Sequence, residues 1–185
     1  MPDWWARRPG RVVASSDRLL LTPQRRSDWS DMAEAFDDDE LLDWQGWTPE
    51  HAALQAYSAR HDPPRSFRGF PANLTVRLKG TREYVGTYSI HWVGLDLFAT
   101  EATLGWWIAN RHQGQGLGTE SLRLVLAALT QRSDLETVRI GTRSDNVRAL
   151  GQLAAVGAEL VEEAPTPLPN GTSPMGKWYV VRLSP

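Results

Sequence analysis

Between Leu104 and Gln131 the chain reads LGWWIANRHQGQGLGTESLRLVLAALTQ, with Gly114, Gly116 and Gly118 at every second position. Glycine weakens helices and strands alike, so this spacing marks a place where bare backbone is wanted. The run before the glycines is apolar. After them Leu122, Val125, Leu126 and Leu129 keep the i, i+3, i+4, i+7 spacing of a helix with one buried face. Strand, glycine loop and helix start together bind anions. The first amides of the helix have no intrahelical acceptor, and the helix dipole favours negative charge beside them. The loop therefore reads as a cradle for phosphate or pyrophosphate, with a tight structural turn as the alternative.

Three phosphate motifs compete for this chain. The dinucleotide fingerprint G-x-G-x-x-G needs glycine where Thr119 stands, and an earlier place in the sequence. Gly171 to Lys177 approaches a Walker A loop, but Trp178 occupies the position of the metal-binding hydroxyl and a β-rich run follows it. The third is a coenzyme A loop, Q-G-x-G-x-G, which Gln113, Gly114, Gln115, Gly116, Leu117 and Gly118 match.

The elements that must position this loop follow from periodicity. RLLLTP (18–23) reads as a strand, 28–36 as a helix with Ser27 as its cap, and 37–47 as an acidic, tryptophan-bearing connection. Pro49 opens a helix that runs to about Arg60. Residues 74–79 and 83–92 form a hairpin, with Tyr84, Tyr88, Ile90 and Trp92 on one face. Strands at 103–109 and 137–142 bracket the loop and its helix, which implies a parallel crossover. A helix from Asn146 to Val156 and two final strands, 159–161 and 177–183, complete an α/β (mixed α+β) chain.

The 185 residues hold no cysteine, which removes disulfides and any thiol nucleophile. No signal-like or membrane-length apolar stretch appears, so the expectation is a soluble, cytoplasmic protein with no membrane partner. The net charge of −2 conceals an asymmetry: residues 1–26 carry six arginines, whereas 27–50 carry nine carboxylates and no Lys or Arg. That pattern argues against a nucleic-acid partner. It suits a site facing cations, or a solvated surface. The four histidines are scattered, and no metal site is expected.

The segment Gln113 to Thr119 resembles the acetyl-CoA motif of the GNAT N-acetyltransferase superfamily. LGWWIANRHQGQGLGTESL, RIGTRSDNVRALGQLAAVGAELV and RLLLTP are together similar to its ribosomal-protein N-terminal acetylating (Rim-type) branch. The resemblance extends over nearly the whole chain from about residue 17. It implies one GNAT domain over 17–185 behind a 1–16 extension, with a mixed, mostly antiparallel sheet of about six or seven strands and about four helices. The cosubstrate it implies is acetyl-CoA. The pantetheine arm would lie along the backbone of Trp107, Ile108, Ala109 and Asn110. Its pyrophosphate would lie on the amides of Gln113, Gly114, Gln115, Gly116, Leu117, Gly118 and Thr119, with Asn146 near the arm or acting as a plain helix cap.

The reaction so implied is direct attack by a primary amine on the thioester, with the oxyanion held by a strand amide near Ile108. The chain departs from its relatives where they carry acids and bases: Ala149, Leu153 and Thr103 stand at those positions. Glu101, His91 and Glu83 remain as candidates. Asp37, Asp38, Asp39 and Glu40, beside Trp44 and Trp47, are candidates to hold a cationic amine or peptide N-terminus by charge and cation–π contact. A catalytically weak CoA- or peptide-binding module, transfer of a larger acyl group, and a monomer or a homodimer all stay open.

Overall fold

The alternating apolar residues of 19–23, 73–78 and 84–92 can bury both faces only if the strands lie in a sheet covered on each side. The computed structural model, which describes residues 12–36, 38–61, 66–67, 70–92 and 100–183, has that form. In chain order the elements are β1 (Ala14–Ser15), β2 (Leu19–Pro23), α1 (Trp29–Phe36), α2 (Asp39–Gln45), α3 (Pro49–His61), β3 (Ser66–Phe67) and β4 (Phe70–Pro71). They continue with β5 (Asn73–Leu78), β6 (Tyr84–Trp92), β7 (Glu101–Ile108), α4 (Leu117–Arg132), β8 (Thr137–Arg143), α5 (Val147–Ala155), β9 (Glu159–Pro165) and β10 (Met175–Arg182).

The main sheet has eight strands in the order β1-β2-β5-β6-β7-β8-β10-β9, and β3 pairs separately with β4. Among the described pairings only β7 with β8 is parallel, as the crossover through α4 requires. The mixed, mostly antiparallel sheet was expected, but with about six or seven strands and about four helices; among the described residues the main sheet has eight strands, and there are five α-helices. The extra strand is β1, within the segment expected to be an extension. Ala14 and Ser15 pair with Leu21 and Leu20, and Val13 is buried, so part of that segment belongs to the fold. Residues 1–11 lie outside the described residues.

The extra helix is α2, which replaces the expected acidic connection. Asp38 caps it by accepting from the Glu40 and Leu41 amides, and Gly46 ends it in the left-handed region (φ 63°). Leu41 and Leu42 bury its inner side. With seven residues, α2 is too short for periodicity to register. At α1, Ser27 is not a cap but lies in a 3-10 turn, Arg26–Asp28. Asp28 accepts from the Arg25 amide there.

Two apolar layers cover the sheet. Leu104, Ile108, Val138, Ile140 and Tyr88 pack with α4 and with Leu153 of α5. Trp107, Tyr84, Met32, Phe36 and Leu41 form a second cluster beneath α1 and α2. Tyr84 and Tyr88 were expected on one face. An extra residue in β6, opposite the Val76/Arg77 step of β5, sends Tyr84 to the other side.

Candidate active site

Strands β7 and β8 pair only through Glu101–Thr103 and Thr137–Arg139, and then run on unpaired to Ile108 and Arg143. The sheet therefore opens as a wedge, and a cavity of about 660 Å³ fills it. The orientation of β7 in the wedge follows from one bond. The Ala109 amide donates to Val85 of β6, so by alternation Trp107 and Gly105 also turn their peptide groups to β6. Trp106 and Ile108 turn theirs into the wedge. Two side-chain amides already occupy the carbonyls there: Gln45 Nε2 donates to Trp106 O (3.4 Å) and Gln113 Nε2 to Ile108 O (2.9 Å).

The glycine loop closes the wide end of the wedge. Gly114 (φ 70°) and Gly116 (φ 76°) are left-handed, and a Cβ at Gly114 would meet nothing within 4 Å. Gly116 caps α4 without any side-chain bond. The first helical amide to find a carbonyl is that of Glu120, which bonds Gly116 O. The amides of 114–119 donate to no described group, and that is the form of an anion cradle. At Gly118 the place of a side chain is taken by Gln152, whose Oε1 also accepts from Trp106 Nε1 (3.0 Å). Asn146 caps α5 by accepting from the Ala149 amide (3.0 Å) and lines the cavity as well, so both expected roles are compatible.

Burial sorts the cavity into two halves. Leu104, Trp106 and Ile108 lie on the α4–α5 face with the loop. Thr103, Gly105, His91, Gly141, Arg143 and Trp178 lie on the α2 face, and Leu41, Trp44, Leu168 and Thr166 complete that half. His91 is exposed and lines the cavity beside Thr103, its strand partner. Glu101 is not brought there: its carboxylate accepts from Thr137 at the closed end of the wedge (3.4 Å). Glu83 stands 3.2 Å from Arg111 and 3.1 Å from His112, also away from the cavity lining.

The acidic segment is brought to the cavity through Leu41, Trp44 and Gln45, and of its candidate acceptor-binding residues Trp44 alone lines the cavity among the described residues. Asp37 lies outside the described residues. Asp38 is taken up by capping, and Asp39 is exposed in the first turn of α2. Glu40 accepts from Arg148 (2.7 Å), and the Arg148 bond followed by that of Trp44 holds its carboxyl below the usual range. Trp47 packs against Phe36 and Trp107, with ring centres 5.2 and 5.9 Å away. Arg143 stacks on Trp44 (4.7 Å) and pairs with Asp43 (3.0 Å) and Asp145 (2.8 Å). Of these bonds, that with Asp145 does most to raise its pKa.

The family model for the acetyltransferase (GNAT) domain matches residues 18–159, well over half of the chain. The chain belongs to the GNAT acetyltransferase family. Among solved structures this GNAT chain resembles a RimL ribosomal L7/L12 alpha-N-protein acetyltransferase in complex with coenzyme A, at TM-score 0.76 and 17% identity over 94% of this chain and 98% of that one. It also resembles a putative ribosomal-protein-serine acetyltransferase from Vibrio cholerae (TM-score 0.70, 21% identity, 94% and 98% covered). A third is a GNAT-family acetyltransferase from Bacillus anthracis (0.73, 16%, 91% and 97%). No curated protein matches the sequence.

Sequence reasoning did not single out Gln45, Arg148, Gln152 and Trp178, which also line this cavity of the GNAT chain. Arg148, two residues into the helix that Asn146 opens, had a local signal. The other three are placed by tertiary contacts alone.

Proposed function

We propose that the protein transfers an acetyl group from acetyl-CoA to a primary α-amine of a peptide or protein by direct attack. The observation that carries this reading is the wedge between β7 and β8, opening onto a loop of undonated amides. Acetyl-CoA bound there supplies an activated thioester carbonyl. The amides of 114–119 take the pyrophosphate charge. The peptide groups of Trp106 and Ile108 accommodate the pantetheine arm once Gln45 and Gln113 give way, and the Ile108 amide faces the place where carbonyl charge develops. The amine nitrogen bonds the acetyl carbon as the carbon–sulfur bond breaks; one proton leaves the amine and one ends on the thiol.

An α-amine deprotonates near pH 8, a lysine amine near 10.4. The first is therefore the easier acceptor for a site with few bases. His91 is the one imidazole among the described lining residues, and it is the group we assign to receive that proton. Buried Leu153 and Ala149, and Glu101 outside the cavity, favour a second reading: a module that binds CoA without turnover.

Release of free thiol from acetyl-CoA with N-terminal peptides decides between them. The expected outcome is amine-dependent release that Gly116→Trp abolishes. His91→Ala should lower kcat by about 100-fold or more. Calorimetric acetyl-CoA binding without release would favour the module, and full activity in Gly116→Trp would overturn both.

A further inference from the structure

With acetyl-CoA assigned to the glycine loop and the β7 backbone, the acceptor is left the α2 half of the cavity, whose composition the acidic sequence did not suggest. Its walls are Trp44 and Leu41 from α2, Trp178 from β10, Leu168 and Thr166 from the loop before β10, and His91. No carboxylate lines it among the described residues. Asp38 faces the α2 amides, Glu40 faces Arg148, and Asp43 faces Arg143. The fully charged side chains that do line the cavity are Arg143 and Arg148. An acceptor carrying a second ammonium would find no carboxylate to receive it in the cavity lining among the described residues, because Glu40 and Asp43 are already taken by Arg148 and Arg143. An acceptor carrying an anion fares no better, because Arg143 is already matched by Asp43 and Asp145 and covered by the Trp44 ring.

Flat and branched apolar surface is what remains. The Trp178 ring lies against Gly141, where a Cβ would approach it to 2.9 Å, and Arg139 holds its ring at 5.0 Å. Trp44 is held by its Nε1 bond to Glu40 (3.4 Å) and by Arg143. Tryptophans fixed in this way present rigid apolar area at little conformational entropy cost. We propose that the acceptor is a monoamine whose amine-bearing carbon carries an uncharged aromatic or large apolar group, seated against Trp44 and Trp178. The inference rests on the transferase reading above and narrows it. The same chemistry is offered by a free arylalkylamine and by a peptide that begins with an aromatic residue.

The test compares 2-phenylethylamine, ethylamine and spermidine, and two peptides that differ only in beginning with Phe or Lys. Thiol release gives kcat/KM, and calorimetry gives binding of the same amines to CoA-loaded protein. Phenylethylamine is expected to exceed both ethylamine and spermidine at least tenfold, and the Phe peptide to exceed the Lys peptide likewise. Preference confined to the free amines, or to the peptides, names the source. Trp44→Ala and Trp178→Ala should collapse the phenylethylamine-to-ethylamine ratio, and Trp44→Phe should keep it; as a ratio, this readout cancels any general loss of fold or coenzyme. Spermidine equal to phenylethylamine, or a ratio unmoved in both Ala variants, would overturn the proposal. If no amine releases thiol yet phenylethylamine binds tenfold more tightly than spermidine, the transferase reading fails and the ligand class stands. If no amine binds or reacts, the class fails too.

Discussion

Gly114 shows how a single residue ties local conformation to the proposed chemistry. Its φ of 70° costs an alanine about 1–2 kcal/mol. A methyl there meets nothing within 4 Å, so Gly114→Ala is expected to fold. Distortion of the amide cradle should show as roughly tenfold weaker acetyl-CoA binding by calorimetry, about 1.4 kcal/mol. Leu153 marks the opposite case. It lies on α5, fully buried against α4 and the sheet, so Leu153→Tyr should overpack the core by about 1–3 kcal/mol in urea unfolding. Asp28 is also buried, accepting from Arg77 (2.8 Å) and Thr75 (2.7 Å). Removing it leaves Arg77 paired with Asp31 and takes the acceptor from the Thr75 hydroxyl and the Arg25 amide, and Asp28→Ala should lose about 1–3 kcal/mol. Asp31→Ala, at the more exposed partner of the same arginine, should lose under about 1 kcal/mol.

At the scale of elements, α2 acts as a strap across the wedge. Glu40 reaches Arg148 and Asn110, Asp43 reaches Arg143, and Gln45 reaches the β7 backbone. These pairs are exposed, and a Glu40→Gln, Arg148→Gln double-mutant cycle should show only a weak coupling, one that fades in salt. Their pH dependence has a definite sign. Glu40 and Asp145 have folded pKa values lowered first by hydrogen bonds to Arg148 and Arg143 respectively. Their contribution is complete above the ordinary carboxylate pKa near 4, and it disappears only as pH falls through the lowered values. Tryptophan fluorescence from Trp44 should therefore hold steady to below about pH 4 in the wild type. A change centred above about pH 5 would contradict the strap. Composition showed the acidic run, but neither the helix nor its partners, because residues about a hundred positions apart supply the arginines.

For the molecule as a whole, the decisive feature is that two neighbouring parallel strands part company. Gly105 sits where they diverge, on the α2 face, and a methyl added to it would have no atom within 4 Å. Gly105→Val is expected to leave the melting temperature nearly unchanged while lowering kcat/KM about 100-fold, since misplacement by about 1 Å has effects of that size. Spacing along the chain was enough to specify the glycine loop, the helices on either side of it, the hairpin and the parallel crossover. Each is written in a few adjacent residues, because backbone preference and burial period are local properties. It took the assembled sheet to turn Glu101 to Thr137, to tie the acidic run to arginines, and to wall the α2 side of the cavity with tryptophans. Those outcomes depend on which distant charges and surfaces meet when the sheet closes, and no spacing along the chain encodes such a meeting.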